Sequence, residues 1–135
     1  GGVFQVRASG KYSTTGTPTL AFQIKNGNAG VIADSGARTC PNTVTNAFWQ
    51  IDCEFVVRSI SAGLATVRCT KGMMMLADGS NVITTFNMIT AAPAATTPAQ
   101  GDTLSVFAQW GAASASNTIT QIEAAYYAIP NSVIS

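Results

Sequence analysis

The sequence predicts an all-β fold: an antiparallel β-sandwich of jelly-roll type with about eight strands. Apolar and polar residues alternate through several short runs, which is the pattern of strands that bury one face. No window of a dozen residues keeps the apolar stripe of an amphipathic helix, and Gly, Ser, Thr and Pro concentrate between the runs. A length of 135 residues with 47% hydrophobic residues indicates a single domain, residues 1–135, with its own core.

The N-terminal part contains two strand candidates. In residues 3–9 the side chains of Phe4, Val6 and Ala8 share one face, and polar residues occupy the other. A second alternating run covers residues 20–25. The segment 10–18 between them is dense in Gly, Ser, Thr and Pro, so we expect a loop there.

The longest strand candidate spans residues 48–60. A return strand at 64–74 follows the turn 61–63, and another strand at 82–88 follows the turn 78–81. Residues 90–100, rich in Ala, Thr and Pro, are expected to form a loop. The inward side chains of the long run are Trp49, Ile51, Cys53, Phe55 and Val57.

The C-terminal part holds two strand candidates, 101–110 and 118–129, on either side of a small polar loop at 111–117. We expect them to pair as a hairpin that closes the sandwich. Together with the central run they predict a core set, since a one-residue slip in register would expose all of it. That set is Trp49, Ile51, Phe55, Leu104, Val106 and Trp110.

Charge is sparse, at 10% of residues against roughly 25% in ordinary soluble domains. Interface cores are depleted in charge, so we expect much of the surface to be covered by other copies in a homo-oligomer. The net charge of +1 comes from scattered residues and indicates neither nucleic-acid nor membrane binding. No run approaches the roughly 18 apolar residues of a membrane-spanning helix. The chain begins at Gly1 without Met, so we expect that a segment has been removed or that the numbering starts inside a longer product.

Few residues are equipped for chemistry. The chain has no histidine, the commonest general base and metal ligand. Asp52 and Glu54 lie two apart on one strand face, where we expect a solvated surface or ion pairs with Arg68 or Lys71 rather than a catalytic pair. We therefore expect no enzymatic activity and no catalytic, cofactor-binding or metal-binding residues.

The cysteines Cys40, Cys53 and Cys69 are odd in number and lack C-x-x-C spacing, which argues against a disulfide framework or a zinc site. Cys53 and Cys69 lie in apolar runs, where a free thiol packs as a small hydrophobe. A Cys53–Cys69 bridge across a hairpin remains the alternative.

Aromatic and methionine residues provide the candidate contact surfaces. Trp49 and Trp110 share the parity of inward residues, which favours core packing over ligand stacking. Tyr126 and Tyr127 point to opposite faces, so one of them should be outside or at an interface. The run of three methionines at 73–75 is typical of an adaptable contact surface.

Three segments resemble small jelly-roll virion proteins of tailed phages: VRASGKYSTTGTPTL at 6–20, AFWQIDCEFVVRSI at 47–60 and AASASNTIT at 112–120. The resemblance implies a capsid decoration (cement) protein, commonly a trimer, on the outer surface of the phage head and bound to the major capsid protein. It equally implies, as the alternative, a fibre, spike or tail module that binds a host-surface glycan or protein. The absence of a clustered aromatic or carboxylate patch favours decoration.

Overall fold

The computed structural model describes residues 2–26, 30–59, 65–89, 94–96 and 104–129. Every regular element in these residues is a strand, and there are ten of them. The strands are β1 (Gly2–Ser13), β2 (Thr19–Asn26), β3 (Val31–Asp34), β4 (Arg38–Thr39), β5 (Ala47–Ser59), β6 (Ala65–Ala77), β7 (Ile83–Asn87), β8 (Ala94–Thr96), β9 (Leu104–Trp110) and β10 (Thr118–Ile129).

The strands form two antiparallel sheets that pack face to face, which confirms the predicted sandwich fold. The larger sheet has the order β10-β1-β5-β6-β7, with β8 beside the other end of β6. In the smaller sheet β2 lies between β9 on one side and β3 and β4 on the other. The strand count exceeds the predicted eight because β3, β4 and β8 have four residues or fewer. The last of these falls in the predicted loop 90–100, so the loop prediction is wrong there.

The predicted C-terminal hairpin is wrong. Strand β9 pairs with β2, placing Val106 opposite Ile24, whereas β10 pairs with β1, placing Tyr126 opposite Val6. The connection between β9 and β10 therefore crosses from one sheet to the other beside the β1–β2 connection. A hydrogen bond joins the two connections where Asn117 Oδ1 accepts from the Thr15 N–H at 3.1 Å. Alternation marks a strand's faces but does not select its partner, so the sequence pattern fits either pairing.

The core lies between the sheets and is centred on the predicted central strand. Trp49 is 2% exposed, Ile51 and Phe55 are fully buried, and the Phe22 ring of the smaller sheet lies 4.7 Å from Trp49 between ring centroids. The other predicted core residues are only partly buried: Leu104, Val106 and Trp110 pack against the core from the edge strand β9.

Gly10 shapes the β10 side of the larger sheet. It lies opposite Trp49 in the β1–β5 pairing, and the indole Nε1 reaches across β1 to donate a 3.0 Å hydrogen bond to the Thr120 carbonyl oxygen. A Cβ at Gly10 would overlap that oxygen and lie 2.8 Å from the indole nitrogen, so only glycine fits here. A β-bulge at the same point leaves Ile122 unpaired on β10.

The predicted turn at 78–81 is confirmed. Asp78 Oδ1 accepts from the Ser80 and Val82 N–H groups at 2.8 and 2.9 Å, and Asn81 adopts a positive φ of 64°. The predicted turn at 61–63 lies outside the described residues. Within the part of the chain that is described, no helix is long and apolar enough to cross a membrane.

Candidate interface at the open edge of the sandwich

The two edges of the sandwich differ, and the edge at β7 and β3 is closed. Met88 is fully buried there, and its backbone joins the sheets. Its N–H donates to the Gly72 carbonyl at 3.0 Å, and its carbonyl accepts from the Asp34 N–H at 3.1 Å. The Arg38 guanidinium, on β4 of the smaller sheet, also lies 5.5 Å from the centroid of the Phe86 ring, on β7 of the larger sheet.

The opposite edge, formed by β9 and β10, is open. A groove of about 180 Å³ enters the interior between these strands, with Trp49 among its lining residues. Its rim consists of Val106 and Ala108 from β9 and Ile119 and Gln121 from β10. Ala108 and Gln121 are exposed although they lie on the inward faces of their strands. We refer to these four residues and Tyr126 as the open edge.

Apolar packing continues from the core to this surface. The Phe55 and Phe4 rings stack with centroids 4.9 Å apart, and the Tyr126 ring follows Phe4 at 5.5 Å. Tyr126 is nevertheless 57% exposed, although it faces inward on β10. The core thus has no outer layer of described residues at the open edge, where the Tyr126 ring meets solvent.

The open edge is also nearly free of charge. Strand β9 has no charged residue, and the only one in β10 is Glu123, opposite Ser9 on the outer face of the larger sheet. Charged side chains lie instead on the outer faces of the sheets, as Lys25 and Asp52 do. A partner at this edge would therefore need no charge to complement it.

The carboxylate pair singled out in the sequence does not form a site. Asp52 is 7% exposed and accepts a 2.7 Å hydrogen bond from Gln5 Nε2, and its other oxygen pairs with Arg7 Nη2 at 3.3 Å. The prediction of a solvated Asp52, or of one paired with β6, is wrong, because β1 supplies its partners. Glu54 lies opposite Lys71 in the strand register, yet Arg7–Asp52 is the only ion pair among the described residues.

The three cysteines are free, buried thiols, as expected, and the alternative Cys53–Cys69 bridge is not formed. The Cys69 thiol donates to the Lys71 carbonyl oxygen at 3.3 Å. The neighbouring Cys69 thiol, together with burial, raises the pKa of Cys53, and the neighbouring Cys53 thiol lowers the pKa of Cys69. Burial raises the pKa of Cys40 to about 11. Among the residues whose placement is described, no group of His, Cys, Asp or Glu could hold a metal ion.

The remaining sequence candidates divide between core and surface. Met74 is fully buried, so the methionine run is not a surface as a whole; Met73 and Met75 are half-buried on the outer face of the larger sheet. Tyr126 and Tyr127 lie on opposite faces, as predicted, and both are exposed.

A second groove, of about 240 Å³, crosses the outer face of the smaller sheet. Gln23, Gln109 and Phe107 line it, and Lys25 Nζ lies 4.5 Å from the centroid of the Phe107 ring. This groove combines an aromatic ring, two amides and an ammonium group.

Comparison with protein-family models, curated proteins and solved structures gives no match to this chain. The functional argument therefore depends on the geometry of the two sandwich edges and on the sequence. Sequence reasoning missed the open edge, although one signal was present: residues 104–129 contain a single charged residue.

Proposed function

We propose that this chain is a structural protein of the tailed-phage virion: a capsid decoration protein that acts as a homo-oligomer, most simply a trimer, on the outer surface of the head. The observation that carries the proposal is the open edge, an uncharged and partly apolar surface on a sandwich that is closed at its other edge. Interface cores are depleted in charge, and the five residues of the open edge carry none.

Oligomerisation supports decoration through multivalency. A single weak contact with the major capsid protein becomes strong when an oligomer docks at several equivalent lattice positions, because later contacts form at high effective concentration. The low overall charge and the resemblance of segments 6–20, 47–60 and 112–120 to small virion proteins support the same role. No catalytic, nucleic-acid-binding or membrane-binding role is included in the proposal.

The test uses phage particles stripped of this protein. Added protein should bind saturably and raise the temperature of genome release. An Ala108→Lys variant, which places a charge in the open edge, should bind more weakly because it loses avidity. Thr118→Lys is the matched control: it adds the same charge at an exposed position beside Ile119, on the opposite face of β10, and should bind like the wild type. Unchanged shell stability on saturating addition would refute decoration.

A fibre, spike or tail module that binds a host-surface glycan is the second candidate, and the outer groove of the smaller sheet favours it. Aromatic rings stack on sugars, and the Gln23 and Gln109 amides could hydrogen-bond to hydroxyl groups. Binding to host cells that Phe107→Ala abolishes, with no effect on the shell, would establish this role instead.

A further inference from the structure

Three sulfur-bearing side chains meet on the inner face of the larger sheet. They belong to Cys53 on β5, to Cys69 on β6 and to Met88, which directly follows β7, and each is at most 1% exposed. The Cys53 thiol donates to the Met88 thioether, with 3.9 Å between the two sulfur atoms. The Cys69 thiol is close enough to Cys53 to raise its pKa. We refer to these three side chains as the sulfur cluster.

A glycine makes room for the sulfur cluster. Gly72 lies opposite Cys53 in the β5–β6 register, and on its other side its carbonyl oxygen accepts from the Met88 N–H at 3.0 Å. The backbones of Cys53 and Met88 are therefore two strand spacings apart, about 10 Å. No side chain at Gly72 stands between them. A Cβ there would lie 3.1 Å from both Cys69 Sγ and Met88 Cβ, so the cluster occupies the space that the glycine leaves.

The chemistry of the cluster indicates a class of ligand. Thiolate and thioether groups are soft donors, and proteins use them to select Cu(I). A metal–sulfur bond of about 2.3 Å would place two sulfur ligands of a trigonal site about 4 Å apart, close to the 3.9 Å between Cys53 Sγ and Met88 Sδ. Structural zinc takes four ligands, and no histidine, acidic residue or further cysteine in the described part of the chain joins the two thiols. The donor set therefore fits Cu(I) better than Zn(II).

We propose that Cys53, Cys69 and Met88 bind one Cu(I) ion in the interior of the larger sheet, beside Gly72. Both cysteines bind as thiolates, so each thiol releases its proton to solvent, and the copper is neither oxidised nor reduced. The ion enters beside Met88, because the next residue, Ile89, is 43% exposed and local opening of this segment brings the thioether to solvent. The site is independent of the proposed role in the virion.

Anaerobic titration of the reduced, folded protein with Cu(I) tests the site. Bicinchoninate, a chelator whose Cu(I) complex is coloured, competes for the ion and reports how much of it the protein takes up. The wild type should bind one equivalent, and its melting temperature should rise because the ion binds the folded chain. The X-ray absorption spectrum of the bound copper should show sulfur neighbours only. Zn(II) at the same concentration should leave the melting temperature unchanged.

Substitutions distinguish metal binding from packing. Met88→Leu nearly conserves the volume of the core but removes the thioether, and it should lower the association constant for Cu(I) at least about tenfold. Met74→Leu, at another fully buried methionine of the same sheet, is the matched control and should bind like the wild type. Cys53→Ala and Cys69→Ala should each abolish uptake, whereas Cys40→Ala, at the third buried thiol, should not change it. Circular dichroism establishes that each variant is folded, and Met88→Leu decides the question if a cysteine variant is not.

The remaining outcomes overturn the inference. If the wild type takes up no Cu(I) in competition, or if Met88→Leu binds as tightly as the wild type, the sulfur cluster is core packing and not a three-ligand site. Uptake that Cys40→Ala abolishes would place the ion elsewhere. A melting temperature that falls on addition of Cu(I) would show that the ion binds the thiols of the unfolded chain instead. Particle binding without Cu(I) still decides decoration separately.

Discussion

The sharpest stability prediction concerns Gly10, where the Trp49 side chain crosses β1 to reach β10. In Gly10→Ala the new methyl group would overlap the Thr120 carbonyl oxygen and press on the indole nitrogen. The backbone of β10 or the indole must move, and either movement breaks the 3.0 Å hydrogen bond. A buried donor left without a partner costs about 1–3 kcal/mol, and overpacking costs about 1–3 kcal/mol more. The expected loss is therefore about 2–6 kcal/mol, a large part of the roughly 5–15 kcal/mol of a typical domain.

Urea unfolding followed by tryptophan fluorescence measures this loss. Gly79→Ala is the matched control, because a Cβ there meets no atom within 4 Å. It should change the free energy of unfolding by no more than about 1 kcal/mol, the gain expected from restricting the unfolded chain. Hydrogen exchange should also show β10 amides less protected in Gly10→Ala. If the free energies of unfolding of the two glycine variants lie within about 0.5 kcal/mol of each other, a Cβ at Gly10 does not disrupt the Trp49–Thr120 hydrogen bond.

Two further predictions concern ionisable groups. Burial raises the pKa of Tyr12 above its usual 10.0 and that of Cys40 from 9.0 to about 11, so the unfolded chain releases these protons first and the free energy of unfolding should fall as the pH rises above about 9. Urea titrations between pH 7 and 11 measure that fall; Cys40→Ala should reduce the part that begins near pH 9, to which the raised pKa of Cys53 also contributes, and a flat profile would contradict the argument. Asp52→Asn should cost about 1–3 kcal/mol because Gln5 and Arg7 lose their shared carboxylate. Lys71→Gln, which breaks no ion pair among the described residues, is its control and should unfold like the wild type in the same assay.

Local alternation was sufficient to predict the central strand and its buried face. Trp49, Ile51 and Phe55 are buried because period-two patterning over a long run permits one register only. The turn at 78–81 was equally local, since an aspartate side chain bonds to backbone groups two and four residues ahead. Both features depend on neighbours in sequence.

The errors in strand pairing and in the partners of Asp52 concern residues distant in sequence. Residues 104–110 and 118–129 have the alternation of a hairpin, yet each pairs with an N-terminal strand instead. Asp52 lies on β5, which has β1 on one side and β6 on the other. The alternation of apolar and polar residues does not reveal that Arg7 on β1, rather than a residue on β6, pairs with its carboxylate. The open edge follows from the same topology, because inward residues are buried only where another strand covers them.

The geometry of β10 indicates how a partner would meet the open edge. An exposed edge strand can extend a sheet through its free backbone groups, and bulges and charges are the usual obstacles to that pairing. Here the bulge at Ile122 interrupts the ladder in mid-strand, and Glu123 follows it directly. Backbone pairing along β10 would be broken beside Gln121, at the rim of the groove. The inward side chains beside the break, Gln121 and Ile119, are the groups left to make contact, together with Val106 and Ala108 across the groove. A partner must therefore insert side chains between the sheets rather than add a strand to one of them.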